Sequence, residues 1–365
     1  MTRARMAPTR VPGRRCAAPR PGRRAPDPGA GGPVPRRRPR AGSAPAPRPW
    51  QTPPVNPAPE RPASVALPDQ PRPAAGYAVL LGSLALMWGS SYLFIKIGVE
   101  TLPPLSLVLL RVLVGLAILL VVVAVTRTPL PRDARTIGHL VVLGAVNIAI
   151  PFWLISLAEQ HISSGLAGIL QSTAPFFTLV IAASFIHDER ITPGRLAGIG
   201  LGFLGILVLS AENIADFGSA LGMERLLAEL AVVGASLAYA IGNTYARRNL
   251  RNTRPLVLST GQVGSAAVLV AILALVVDGG VTLPAVPEAA FSVLWLGAIG
   301  TGFAYLVFFR LLTGWGPTRA SLVAYLLPVV AVILGVVVLG ETVDAFFLAG
   351  AALIVAGVWV VNRQG

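Results

Sequence analysis

The chain has 365 residues, of which 54% are hydrophobic and 13% are charged, and its formal net charge is +14. Soluble globular domains carry about 25% charged residues, so this composition excludes an ordinary soluble enzyme and a disordered protein alike. The charge divides by position, because residues 1–75 hold 15 of the 30 basic residues and three acids, whereas residues 76–365 are nearly neutral. The sequence therefore joins a small basic tail to a large apolar body.

The tail, residues 1–75, contains 20 of the 32 prolines and almost no apolar periodicity. Nothing in it offsets the entropy of ordering the chain, so we predict a disordered Pro/Arg-rich segment without a function. Two alternatives stay open. The basic run at 36–40 could bind nucleic acid or anionic lipid, although no nucleic-acid partner is expected. Alternatively, the tail is translated upstream DNA, as its Arg-rich composition suggests.

Ten apolar stretches follow in the body, each about as long as a helix that crosses the roughly 30 Å hydrocarbon layer. Short connections that carry Pro, Gly or charge separate them, which favours a compact bundle of helices and excludes the alternating segments of a β-barrel. The predicted spans are 77–96, 104–125, 137–157, 163–185, 195–211, 226–246, 256–277, 289–310, 319–339 and 343–361.

The arginines of the loops give the orientation of these spans. Twelve arginines fall on the side of the N-terminus and one, Arg225, falls on the other side. Short cytoplasmic loops carry the excess of Lys and Arg. We therefore predict a multi-pass protein of the cytoplasmic (inner) membrane with both termini in the cytoplasm.

The two halves of the body match at a shift of 151 to 153 residues. Aligned pairs include Trp88 with Tyr239, Arg111 with Gln262 and Pro175 with Pro328. The match predicts a duplicated unit of five helices, at 76–211 and 224–362. Because five is odd, the two copies insert with opposite orientation. Inverted repeats of this kind open a site near the midplane to alternate sides of the membrane, which indicates a secondary transporter.

Three segments carry a resemblance to a known family: WGSSYLFIKIGVETLPP at 88–104, ISSGLAGILQSTAPFFTLVIAASFIHDERIT at 162–192 and GPTRASLVAYLLPVVAVILGVVVLGE at 316–341. The body resembles a ten-span EamA-type carrier of the drug/metabolite transporter superfamily, over about residues 77–362. The resemblance implies a carrier of small molecules, and members of this superfamily export amino acids, other metabolites and drugs. The tail has no counterpart in the family pattern.

Polar and aromatic residues within the spans are the candidates for a substrate site, because polar groups in hydrocarbon cost free energy unless they are paired or face a wet cavity. The candidates are Trp88, Ser91, Tyr92, Asn147, Trp153 and Gln171 in the first repeat, and Tyr239, Asn243, Tyr305 and Tyr325 in the second. Pro175 and Pro328 are predicted to break their helices near the cavity, where each frees a backbone carbonyl one turn earlier.

Three charged residues lie within or near the spans, and we consider each as a partner for substrate or a coupling ion. Lys96 reaches the outer headgroups or binds a substrate carboxylate. Arg111 needs an acceptor, a helix C-terminal carbonyl or Glu100, and it could also hold a substrate carboxylate. Glu229, one turn inside the sixth span, is the nearest candidate for coupling to protons.

Other motifs are assigned structural roles. Glu189 and Glu341 end the fourth and ninth spans, where we expect them to fix helix ends. The GxGxxG pattern at 200–205 lies inside a span with no strand before it, so we expect helix packing there through Gly198, Gly202 and Gly205, and no nucleotide site. The histidines show no ligand spacing, and the single Cys16 lies in the tail. We therefore predict no metal, cofactor or catalytic residue.

Together these features predict an all-α polytopic membrane protein that moves a small molecule through the lipid bilayer, with an amino acid or related compound as the substrate class. A homodimer stays open. The alternatives are a membrane-embedded enzyme, which would need an intramembrane nucleophile or metal cluster, and a non-transporting sensor or scaffold, for which the tail is the sole support.

Overall fold

The computed structural model describes residues 74–185, 192–216 and 218–363, and every regular element within them is helical. In chain order the elements are α1 (Ala74–Val99), α2 (Pro104–Val125), α3 (Ala134–Gly144), the π-helical segment π1 (Ala145–Ala149), α4 (Ile150–Ala158), α5 (Ser164–Gln171), α6 (Ala174–Phe185), α7 (Pro193–Leu209), α8 (Ala211–Ala215), α9 (Ala220–Asn249), α10 (Pro255–Val277), α11 (Pro287–Leu294), the π-helical segment π2 (Trp295–Phe303), α12 (Ala304–Gly314), α13 (Pro317–Ala320), α14 (Val323–Leu339) and α15 (Ala345–Arg363). Glu189 and tail residues 1–73 lie outside the described residues, so the roles assigned to them stay predictions.

Seven helical stretches in the described part are long and apolar enough to cross a membrane. They are Gly76–Val99, Pro104–Val125, Ala134–Ala158, Ser164–Ile181, Ala220–Asn249, Pro255–Val277 and Pro287–Gly314. Three shorter apolar helices, α7, α14 and α15, fall on the fifth, ninth and tenth spans that the sequence predicts. The described part of the chain is thus all-helical with seven candidate membrane spans, and the count of ten stays a prediction.

Helix starts and ends follow local chemistry. Proline occupies the first turn of α2, α7, α10 and α11. An N–H at this position has no acceptor within the helix, so proline loses no hydrogen bond there. Asp133 begins α3 by accepting the Thr136 backbone N–H at 2.7 Å. This hydrogen bond lowers the pKa of the exposed Asp133 carboxyl. Gly340 ends α14 at a φ of 67°, a left-handed conformation that glycine adopts without strain.

Four of the predicted spans are interrupted in ways that hydrophobic periodicity does not show. The third and eighth contain the wide turns of π1 and π2, and the fourth and ninth are divided into α5 with α6 and α13 with α14. At the first division the hydroxyls of Ser172 and Thr173 bond to the carbonyl oxygens of Ile169 and Leu170, at 2.6 and 2.7 Å. Side-chain hydroxyls there compete with the helical pattern.

The prediction that both prolines break their helices needs correction. Pro175 does lie in the first turn of α6, directly after a division. Pro328 instead lies inside α14, and the division falls earlier, before Val323. The interruption of the ninth span therefore precedes Tyr325 and does not follow it.

Helices of the two halves pack against one another in matching pairs. α2 packs against α10, α7 packs against α15, α1 packs against α14 and α6 packs against α9. The starts of α2 and α10 are 151 positions apart, and those of α7 and α15 are 152 apart. The contacts between halves are therefore of two kinds. In the first, a helix packs against its own counterpart, as α2 does against α10. In the second, α1 packs against α14, and their counterparts α9 and α6 pack against each other in the same way.

The glycines of α7 make the close helix contact that the sequence predicts, and this expectation is confirmed. A Cβ on Gly198 would lie 2.8 Å from the carbonyl oxygen of Gly357, and one on Gly205 would lie 2.8 Å from that of Gly350. Such small residues let two helices approach closely, which is the usual way in which helices associate within a bilayer. No nucleotide-binding loop is formed, since α7 continues through the pattern.

We expect Gly198→Val to lower the thermal stability of the purified protein, because its branched side chain would meet the backbone of α15. Overpacking of this kind costs about 1–3 kcal/mol. The matched control is Gly200→Val on the same helix, where a Cβ meets nothing within 4 Å. Thermal unfolding in detergent is the measurement, and an equal loss for both variants would contradict the role of this contact.

Candidate functional site

A cavity of about 370 Å³ lies between the helices of the bundle. Residues of α1, α2, α9, α10, α12 and α14 line it, together with residues around π1, π2 and the α5–α6 division, whereas no described residue of α7 or α15 does so. All four interrupted spans therefore contribute to the cavity wall, beside the continuous helices α1, α2, α9 and α10, and at the interruptions polar groups can face an interior space.

The two ends of the bundle differ in charge and in closure. We call the end formed by residues 126–133 and 250–254 the arginine-rich end, because Arg127, Arg132, Arg251 and Arg254 lie there. The distal end contains residues 100–103, 159–163 and 278–286, which Lys96 and Ser106 help to hold through hydrogen bonds to Glu159 and Thr282. Lining residues Asn243 and Ser321, towards the arginine-rich end, are exposed, whereas Ile95 and Ile155 at the distal side are buried.

Most of the predicted site residues line this one cavity. From the predicted set, the lining residues are Trp88, Ser91, Tyr92, Asn147, Gln171, Tyr239, Asn243, Tyr305, Arg111, Pro175 and Pro328. Two do not line it. Trp153 packs against the apolar cluster of α2 and α10. The Tyr325 hydroxyl donates to the carbonyl oxygen of Val358 on α15 at 3.2 Å, so its placement differs from the prediction.

Arg111 is the cation of the cavity wall. It is 3% exposed, and its guanidinium carbon lies 3.9 Å from the ring centre of Phe152. One guanidinium nitrogen lies 3.5 Å from the Thr301 hydroxyl, and the Nε atom has no hydrogen-bond partner. The expected acceptors, a helix C-terminal carbonyl or Glu100, are therefore wrong. An aromatic face and one long contact leave much of the guanidinium's donor capacity unused.

Amide side chains supply acceptors in the same cavity. The Asn147 amide on π1 donates to Gln262 Oε1 on α10 at 3.0 Å. The carbonyl oxygens of the Asn147 and Gln171 side chains are buried and have no partner. Buried polar atoms are normally hydrogen-bonded, so these two oxygens and the Arg111 Nε mark places for a polar ligand.

Aromatic rings form the apolar part of the wall. The ring of Trp88 meets Tyr305 edge-on at 6.4 Å and Phe308 at 5.3 Å between ring centres. Tyr92 and Tyr239 lie on α1 and α9 and also line the cavity. A largely apolar wall with a few directed polar groups is typical of a small-molecule site.

A layer of polar contacts closes the distal end. Lys96 Nζ donates to the carbonyl oxygens of Glu159 and Ile162, at 2.6 and 2.9 Å, so neither of the two roles considered for it, headgroup contact or substrate binding, is what the structure shows. Glu341 accepts the backbone N–H groups of Ser164 and Gly165, at 2.6 and 3.0 Å. Glu341 thus holds the start of α5, a helix-end role of the kind expected. We call the contacts of Lys96 and Glu341 the distal closure.

Glu229 is buried on α9 away from the cavity. It is 1% exposed, and its Oε1 accepts the Asn213 side-chain amide at 2.6 Å. It does not line the cavity. The expectation of a coupling residue at Glu229 is therefore not supported by its position, because the carboxylate binds the short helix α8.

Some residues of the cavity and of the distal end were not predicted from the sequence. Gln262 and the rings of Phe308 and Phe309 line the cavity, and the alignment of Gln262 with Arg111 was the available signal for the first. Glu159 is fully buried directly after α4, although a charge at the end of an apolar stretch ordinarily indicates a loop. Among the described residues no group of three or more His, Cys, Asp or Glu could hold a metal ion.

We expect water-soluble thiol reagents to label Gln171→Cys and to leave Tyr325→Cys unlabelled, both in a Cys16→Ser background, because only the first position lines the cavity. The measurement is the rate of modification in intact membranes, with the denatured protein as the full-labelling control. Equal protection at both positions would show that Gln171 is a packing residue.

The chain is similar in sequence to known membrane transporters. The sequence pattern of the EamA-like transporter family matches residues 76–211 and again residues 226–363. An uncharacterised transporter of Archaeoglobus fulgidus is 27% identical over 287 residues, which are 78% of this chain and 98% of that protein. The uncharacterised inner membrane transporter YedA of Escherichia coli is 30% identical over 268 residues, 72% of this chain and 83% of YedA.

Two further matches bear on function and fold. A Salmonella typhimurium protein named "Probable amino-acid metabolite efflux pump" is 29% identical over 294 residues, covering 78% of this chain and 93% of that protein. A crystal structure with 20% sequence identity superposes with a TM-score of 0.56 over 80% of this chain and 98% of the other, and it shares the fold. By the two family matches, which together cover most of the body, the chain belongs to the EamA-like transporter family.

Proposed function

We propose that this membrane transporter is a secondary carrier of the cytoplasmic membrane that exports an amino acid or a closely related compound by alternating access. The observation that carries the proposal is the combination, in one cavity, of a buried arginine with free donor capacity and two buried side-chain carbonyl oxygens without partners. The names of the Salmonella and Escherichia relatives, an efflux pump and an inner membrane transporter, support the same direction and membrane.

The cavity chemistry matches both charges of a zwitterion. A carboxylate placed against Arg111 would gain charge-assisted hydrogen bonds, which are about twice as strong as neutral ones. An ammonium group is a donor in three directions and would bind the Asn147 and Gln171 side-chain oxygens. The aromatic wall of Trp88 and Tyr305 would cover an apolar side chain. A neutral hydrocarbon would leave all three polar groups unsatisfied.

Internal symmetry supports alternating access. The family pattern matches the chain twice, and π1 and π2 occur at corresponding places in the two halves. The contacts repeat as well. A Cβ on Gly300 would lie 2.8 Å from the Ser91 hydroxyl, and a Cβ on Gly242 would lie 2.8 Å from the Asn147 side chain. We interpret residues 76–211 and 224–362 as two inverted five-helix repeats, with ten spans in all, that rock about the cavity.

Sidedness follows from charge. If the arginine-rich end faces the cytoplasm, as the excess of arginine in short loops indicates, the described conformation is open towards the cytoplasm and closed at the distal end. This is the state in which an exporter takes up its substrate. Opening the distal closure would then release the substrate outside.

We expect Arg111→Gln to reduce export of carboxylate-bearing substrates by about tenfold or more, because a hydrogen bond to a charged group contributes about 1.5–3 kcal/mol. The substrates are first identified by comparing metabolites in the medium of cells that overexpress the protein with those of empty-vector cells. Arg310→Gln, an exposed arginine outside the cavity, is the matched control. Undiminished export by Arg111→Gln at equal protein abundance would rule out this role.

Reporter fusions test the orientation. Fusions at residue 1 and at residue 365 should both report a cytoplasmic position, because ten spans return the chain to its starting side. A fusion within 279–287 should report the external side. Opposite readings at the two termini would remove the ten-span arrangement and the inverted repeat with it.

A further inference from the structure

Glu159 is a buried carboxylate without a hydrogen-bond donor. It follows α4 directly, it is 0% exposed, and neither of its two carboxylate oxygens has a hydrogen-bond partner. It lies one helical turn beyond Ile155, which lines the cavity. Water cannot compensate a charge at such a place, and an ionised carboxylate left without donors in the interior is strongly disfavoured.

The charged neighbours of Glu159 do not ion-pair with it at close range. Of the positive charges, Lys96 acts on the Glu159 carboxylate most strongly, but its Nζ donates to the backbone carbonyls of Glu159 and Ile162. Arg111, on α2, and Glu341, on the loop before α15, also act on it electrostatically, and Tyr92 faces it from α1.

Nearby titratable groups on other elements have their own partners. At the start of α9, Glu224 lies 3.7 Å from His161, and both side chains are about half exposed. Further along α9, Glu229 accepts the Asn213 amide. Among the described acidic side chains at the distal end, Glu159 is therefore the one that is buried and has no hydrogen-bond donor for either carboxylate oxygen.

Glu159 also lies where the two halves meet. Lys96 ties α1 to the segment that follows α4, and Glu341 of the second half binds the start of α5, only five residues beyond Glu159. Gly165 and Gly335 leave the room that the Glu341 carboxylate occupies. Any movement that opens this end must separate Glu341 from α5, and it would let water reach Glu159.

We propose that Glu159 is a proton-binding site whose protonation is required for the distal end of the cavity to close. On closing, a proton from water on the distal side bonds to one carboxylate oxygen, and on opening the same proton returns to water. No other reactant is needed. The proposal rests on the alternating-access function proposed above and adds a proton to its gate.

The direction of the pH dependence follows from linkage. The closed state holds one more proton than the open state, so a lower pH favours closure and a higher pH favours opening. For one proton, the ratio of open to closed molecules changes by about tenfold per pH unit within the titrating range. A structural carboxylate that stays ionised in both states would give no such slope.

The experiment measures the distal end itself, in the full-length, substrate-free protein in lipid nanodiscs. Spin labels are attached to Thr101→Cys and Thr342→Cys, two exposed positions in opposite halves, in a Cys16→Ser background. Electron–electron distance measurements over a pH series then give the open and closed populations. We expect the longer-distance population to grow with pH at close to the one-proton slope.

Four variants identify the group responsible. Glu159→Gln should stay closed at every pH, whereas Glu159→Asp should keep a slope. His161→Gln, which removes the exposed histidine beside Glu224, should leave the slope unchanged. Glu341→Gln should raise the open population at each pH, because it weakens the bonds to Ser164 and Gly165, and should keep the slope.

Several results would overturn the proposal. One is a flat pH profile of the open population in the protein with Glu159 intact. The others are an unchanged slope in Glu159→Gln and a slope that disappears with His161→Gln. If Glu159→Gln does not fold, the flat or sloping profile of the protein with Glu159 intact still decides. Because no substrate is present, these results are separate from export, whose failure in the metabolite comparison would instead refute the transport function.

Discussion

The hydrocarbon core of a membrane offers no hydrogen-bond partner, and the arrangement of this protein follows from that constraint. Some polar groups within the bundle are satisfied by other helices, since the Asn147 amide donates to Gln262 and the Trp295 indole donates to Ser90. Three side chains that keep a buried atom without a partner, Arg111, Asn147 and Gln171, line one cavity. Others, such as Glu159, lie outside that lining, so the cavity gathers one group of the unsatisfied atoms and not all of them.

The same constraint explains why the helices are broken where they are. A continuous α-helix hides its carbonyl oxygens, so it cannot present backbone acceptors to an interior space. The wide turns of π1 and π2 and the divisions at Ser172 and before Val323 all lie in spans that contribute to the cavity wall. The uninterrupted α7 and α15 instead pack through glycine backbones and contribute nothing to that wall.

Much of this arrangement is readable from the sequence, and the failures have physical causes. Charge-free stretches predicted the helices, and polar residues inside them predicted most of the lining, because both signals depend on the cost of burying polar groups. Tyr325 was misplaced because Pro328 was predicted to break its helix near the cavity, whereas Pro328 lies inside α14 and the division occurs before Val323. Glu159 was missed because its burial depends on the folding of distant segments over a helix end.

The glycine contact between α7 and α15 involves a different set of residues from the cavity wall. Residues that hold this pair together never touch the cavity, and residues that line the cavity lie on other helices. Substitutions at a lining position such as Tyr239 would therefore leave the α7–α15 contact in place. The two transporters of Archaeoglobus and Escherichia described above are 27–30% identical to this chain, and on this arrangement the α7–α15 pair is a frame that proteins with different cavity walls can share.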